Sequence, residues 1–82
     1  MKNLEYYMRL NYRTEVIKAE ESEGYVLYCP ELTGCITYGE TLDEGFEMIE
    51  DAKKCWFEAC LEDGIEIPEP REYNSFFVQN LL

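Results

Sequence analysis

The chain contains no histidine. With it go the imidazole general base, the commonest metal ligand and every nucleophile that relies on an adjacent imidazole for activation. Positive charge is scarce as well. Seven Lys and Arg stand against eighteen Asp and Glu, for a net charge of -11. Self-repulsion of that size argues against direct DNA or RNA binding by this chain alone and against docking on an anionic membrane. It favours a basic partner, or serves solubility. No apolar run reaches the length of a membrane span, and Met1-Lys2-Asn3-Leu4-Glu5 is not the start of a secretory signal, so a cytoplasmic location is expected.

Cysteine is present, but not in a metal-binding pattern. Cys29 and Cys35 are spaced C-x5-C, Cys55 and Cys60 C-x4-C, and structural zinc sites use tighter knuckles. Two cysteines five apart on one helix point about 140° from each other and cannot share an ion without distortion. Four reduced thiols acting as small apolar side chains are therefore expected, with no metal and no cofactor. Eighty-two residues make a single domain, 1–82, of which 46% are hydrophobic and 15% aromatic. A single sheet-and-helix layer does not hide that much apolar surface. Part of the excess is expected to meet a partner or a second copy, as is common for small cores.

What is there is organised around residues 25–70. Tyr12 to Ala19, with Thr14, Val16 and Ile17, reads as a first strand. A polar connection ending in Gly24 leads to a second, Tyr25 to Cys29, which Pro30 ends by removing a ladder donor. Gly34 permits the turn into a third strand, Cys35 to Tyr38. Residues 1–11 fit either a short helical turn or an extended arm. Tyr25, Leu27 and Cys29 fall on one face of the second strand and Val26 and Tyr28 on the other. A helix covers one face only, which leaves the other exposed, paired with another chain, or under the N-terminal arm.

Thr41-Leu42-Asp43-Glu44 predicts a capping box, and the helix it opens should run to about Asp63 and stop at Gly64. At 100° per residue, Leu42, Gly45, Phe46, Ile49, Ala52, Trp56, Ala59 and Cys60 form the expected buried stripe, opposite an acidic face. Phe57 and Leu61 stand on its shoulder, covered by a C-terminal strand or a dimer mate, or else free to act as a partner hot spot. After Pro68 and Pro70, the apolar stretch Glu72 to Leu82 predicts a fourth strand, paired with its own sheet or crossing to another chain.

The run Gly24-Tyr25-Val26, then Pro30-Glu31-Leu32-Thr33-Gly34-Cys35-Ile36-Thr37, then Gly39-Glu40-Thr41-Leu42-Asp43-Glu44 resembles the HicB antitoxin family of bacterial type II toxin–antitoxin systems. The likeness continues through Asp51-Ala52-Lys53-Lys54 and Glu62-Asp63-Gly64 to Ile67-Pro68-Glu69-Pro70. Thr33 stands where the family pattern has a second proline, and Gly45 where it has alanine. The resemblance implies an α+β, β-β-β-α-β fold described as a partial RNase H-like domain. It also implies the neutralisation, by direct binding, of a HicA-type toxin, a small basic ribonuclease. The chain resembles a short form without the C-terminal DNA-binding segment that many members carry.

An RNase H-like fold brings a nuclease to mind, but Asp43, Asp51 and Asp63 all fall on the helix and Glu15 is the lone acid of a strand, which builds no two-metal site. Nucleic-acid stacking on Tyr25, Tyr28 and Tyr38 runs against the charge. The expectation is a non-enzymatic binding protein with no catalytic residues. The alternatives are an orphan HicB-like domain with another partner or an RNA-binding role and, less favoured, a metal-dependent nuclease. Candidate partner contacts are Tyr28, Pro30, Glu31 and Leu32 in the exposed segment after the second strand, Phe57 and Leu61 on the helix shoulder, and the acids Glu47, Glu50 and Glu58. A homodimer or higher oligomer is expected from the second sheet face and the C-terminal strand.

Overall fold

The computed structural model describes residues 2–70, and within them the order is α1 (Leu4–Met8), β1 (Glu15–Lys18), β2 (Tyr25–Tyr28), β3 (Ile36–Gly39) and α2 (Leu42–Asp63). The three strands form one antiparallel sheet in the order β1-β2-β3. This is the expected α+β arrangement of a three-stranded sheet with one long helix. The fourth strand expected over Glu72 to Leu82 lies outside the described residues. β1 and β2 are shorter than the stretches expected for them, β2 ending before Cys29 and Pro30, and β3 is displaced by one residue from Cys35–Tyr38 to Ile36–Gly39.

At the N-terminus the helical alternative is the one adopted. The Asn3 side chain accepts a hydrogen bond from the Tyr6 N–H at 3.0 Å and so caps α1. At the start of α2 the Thr41 hydroxyl accepts from the Glu44 N–H at 3.1 Å, as the capping box requires. Glu44 reaches one residue further back than the motif predicts and takes the Glu40 N–H, also at 3.1 Å. The helix ends at Gly64, whose φ of 69° is left-handed, and the Ile65 N–H closes onto the Cys60 carbonyl at 2.9 Å.

Helix α2 lies across β2 and β3 and makes no contact with β1. The approach is tight at Gly45: a Cβ there would sit 2.4 Å from Leu27 Cδ1, so any larger residue requires the buried Leu27 side chain or the helix to shift. The face it buries is Gly45, Ile49, Lys53, Phe57 and Cys60. That stripe is turned about 30° from the expected one, and Leu42, Phe46 and Ala59 are exposed. Lys53 explains the shift. A lysine in the middle of the stripe hides the apolar period, yet its stem is buried and its Nζ emerges to meet Glu50 at 2.9 Å.

Phe57 is the centre of the core, fully buried, and its expected place on an exposed shoulder is corrected. Among the described residues, α1, Tyr12 and α2 itself pack rings against it. The rings of Tyr7 from α1 and of Tyr12 lie 5.6 and 5.4 Å away, and Trp56 meets it edge-on at 6.0 Å. The segment after α2 is tied back to the same place. Ile67 is buried, the Tyr12 hydroxyl donates to the Pro68 carbonyl at 2.6 Å, and the Tyr6 hydroxyl donates to Glu69 at 2.9 Å. Lys2 also pairs with Glu69, and this pairing, followed by the Tyr6 hydrogen bond, holds the Glu69 carboxyl below its ordinary range.

Candidate functional site

The segment after β2 is a compact double turn. The Leu32 N–H returns to the Cys29 carbonyl at 3.0 Å and the Cys35 N–H to the Leu32 carbonyl at 2.9 Å. These bonds fold Leu32 inward, where it is fully buried with Leu27, Cys29 and Cys35. Leu32 is thus a core residue and not an exposed contact, a correction that follows from the turn geometry. Pro30 is exposed, and Glu31 is half-buried with its Oε1 accepting the Arg13 N–H at 3.0 Å. The Trp56 indole donates to the Thr33 carbonyl at 3.0 Å and clamps the turn onto α2.

The outward face of α2 carries the acids. Glu47, Glu50 and Glu58 are all exposed, and Leu61, 38% exposed, lies on the same side. Asp43, Phe46, Glu47, Glu50 and Asp51 line an open depression on that face. Phe46, 46% exposed, puts an aromatic ring among four carboxylates. Its i, i+3 spacing with Ile49 made it look like core, yet close to half of its surface stays open to water. Sequence reasoning assigned the aromatic contact to Phe57, whereas the exposed ring belongs to Phe46.

Alternation along the strands gives the sheet two unlike faces. Tyr25 faces α2 with the Lys18 ammonium 5.2 Å above its ring, while Val26 and Tyr28 face away. Glu15, Tyr28 and Ile36 are aligned across the outer face, as are Ile17, Val26 and Tyr38. The three tyrosines 25, 28 and 38 therefore do not share a platform, and two of them lie on the outer face.

The four thiols are unpaired, with Cys29, Cys35 and Cys60 buried and Cys55 exposed. The strand register carries on to set Cys29 opposite Cys35, and the Cys29 N–H donates to the Cys35 carbonyl at 3.0 Å. Burial, reinforced by the neighbouring Cys29, pushes the Cys35 thiol up to about 12. A thiol in that state is protonated and unreactive near neutral pH. Among the described residues no three His, Cys, Asp or Glu side chains converge in a way that could hold a metal ion. Nor is any described helix long and apolar enough to cross a membrane.

Comparison with known proteins bears on what this surface serves. Residues 12–80 match the family model described as HicB-like antitoxin of bacterial toxin–antitoxin system. The chain belongs to the HicB-like antitoxin family. It is 30% identical over 56 residues to a UPF0150 protein of Synechocystis sp., covering 68% of this chain and 71% of the relative. It is also 31% identical over 58 residues to an uncharacterized 14.9 kDa protein from the rep-hol intergenic region of Haemophilus phage HP1. That match covers 71% of this chain and 44% of the phage protein, so the chain spans less than half the length of that relative.

Proposed function

We propose that the chain neutralises a HicA-type, mRNA-cleaving ribonuclease toxin by direct protein–protein binding, through the acidic face of α2. The observation that carries this reading is the exposed Phe46 ring set among Asp43, Glu47, Glu50 and Asp51 in a member of an antitoxin family. A basic partner would be steered by the carboxylates and anchored by the ring, and Arg side chains stack well on such a ring. Glu58 and Leu61 remain candidate contacts beside this centre; Pro30, Glu31 and Tyr28 remain candidates at a separate place, the turn after β2 and the outer face of the sheet.

On this reading the protein acts as one cytoplasmic domain and as a dimer, without metal or catalysis of its own. The fold it adopts on this reading is the partial RNase H-like one that the resemblance implies. The test is calorimetric titration against the basic product of an adjacent small reading frame, with RNA cleavage by that product as the second readout. Tight binding that abolishes cleavage is expected. Phe46→Ala should weaken it by about tenfold or more and Glu58→Ala by only a few-fold, since exposed single charges contribute little. Full inhibition by a variant with Phe46, Glu47 and Glu50 all replaced by alanine would overturn the assignment of the face.

A further inference from the structure

We infer that Cys29 and Cys35 are a reversible redox pair that closes to a disulfide across the turn between β2 and β3 when the chain meets hydrogen peroxide. Continued one step past Tyr28 and Ile36, the register of the two strands sets these residues directly opposite each other, and the Cys29 N–H donates to the Cys35 carbonyl at 3.0 Å. Opposite residues of an antiparallel ladder point to the same side of the sheet, and in a hydrogen-bonded pair their Cα atoms stand about 5.5 Å apart. A disulfide spans roughly 4.4–6.8 Å between Cα atoms, so the backbone can accept one where it stands. Both side chains belong to the same buried cluster, and the Cys29 thiol is near enough to raise the proton affinity of the Cys35 thiol. Cys55 and Cys60, by contrast, point about 140° apart on α2 and cannot bridge each other.

An open groove with a volume of about 390 Å³ leads to the pair from outside, walled by Tyr28, Pro30, Gly34 and Ile36 and by the two cysteines themselves. It has room for a peroxide molecule. The net step breaks two S–H bonds and the O–O bond of the peroxide, forms one S–S bond and releases two water molecules. The sulfurs give up two electrons and the peroxide takes them. A dithiol reductant reverses the step by thiol–disulfide exchange. The resting state is the dithiol, and closure is slow, because a Cys35 thiol pushed up to about 12 is a poor nucleophile near neutral pH. Geometry favours the product while protonation sets the pace. In the reduced chain the double turn is held by the Leu32 and Cys35 N–H bonds and by the Trp56 indole on the Thr33 carbonyl. The bridge adds a covalent tie between its two ends and fixes the turn that carries Pro30 and Glu31. Nothing in this step depends on the proposed toxin-binding role.

The test uses the full chain with Cys55→Ser, which removes the exposed thiol and with it disulfides between molecules. After hours in hydrogen peroxide at neutral pH, alkylation in urea and mass measurement should show the free thiols falling from three to one. Peptide mapping should place the bridge between Cys29 and Cys35. The thermal midpoint should rise by about 5 °C on oxidation and return with dithiothreitol. Cys29→Ala and Cys35→Ala, each in the same background, should form no bridge within the chain and show no rise that dithiothreitol reverses. A treated chain that keeps all three thiols, or that takes up oxygen without bridging, would overturn the inference. So would a bridge to Cys60, or a Cys29–Cys35 bridge that forms only in urea or lowers the midpoint, since the folded geometry would then not accept it.

Discussion

The two faces of the sheet come from the same strands, residue by residue in alternation, yet they obey different rules. On the α2 side Leu27 and Cys29 are almost wholly removed from water, and the helix comes close enough that Gly45 is in contact with Leu27. On the outer side Ile17 and Ile36 are as apolar and stay more than half-exposed. Hydrophobicity does not separate them. The helix does, and it sets which half of each strand is buried in the core and which half stays open to water.

That contrast can be broken most severely at Phe57. Phe57→Ala should cost about 3–5 kcal/mol of folding stability in urea denaturation, since three aromatic rings lose their common neighbour. In a domain whose total stability is on the order of 4–12 kcal/mol, much of the chain would be left unfolded. Loss of partner binding in this variant should then follow the unfolded fraction. A folded Phe57→Ala protein that fails to bind would instead return Phe57 to the interface. Next comes Gly45→Ala. The added methyl meets Leu27 Cδ1 at 2.4 Å, so overpacking of about 1–3 kcal/mol should outweigh the gain of about 1 kcal/mol in helix propensity. A stabilised Gly45→Ala protein would mean that the helix floats on the sheet rather than docking at a fixed depth.

A gentler probe of the buried face is pH. The Cys35 thiol, ordinarily near 9.0, is pushed up to about 12 in the folded protein. Its folded value is the higher one, so its stabilising contribution is complete below the ordinary value and is lost as pH rises toward the folded one. Unfolding free energy should fall between about pH 9 and pH 12 by an amount that Cys35→Ala removes. An identical pH slope in the two proteins would show that Cys35 is not held in a dry site. At neutral pH the same burial should let a maleimide reach exposed Cys55 rapidly and the other three thiols only through opening of the fold.

Much of this was legible in residues 25–70. Thr41 and Glu44 announced the helix start, Gly64 its end, and Pro30 with Gly34 the break between strands, because each acts through its own backbone or that of its near neighbours. The family resemblance carried by Pro30 to Thr37 and Gly39 to Glu44 agrees with the family model match. Phe57, Leu32 and Phe46 were misplaced for a shared reason. Whether each is covered depends on how the chain folds around it: α1 and Tyr12 over Phe57 and a double turn that folds Leu32 inward, while Phe46 stays 46% exposed.

By itself, then, the sequence determined the order of the three strands and the long helix, the caps of that helix, the acidity and the family, all of which are written in local spacing or in a run of adjacent residues. Only the tertiary structure decided the rotation of α2 and the exchange of roles between Phe57 and Phe46. A helical period fixes a stripe to within about a third of a turn. A lysine whose stem is buried and whose ammonium escapes to Glu50 reads as surface in sequence and as core in three dimensions.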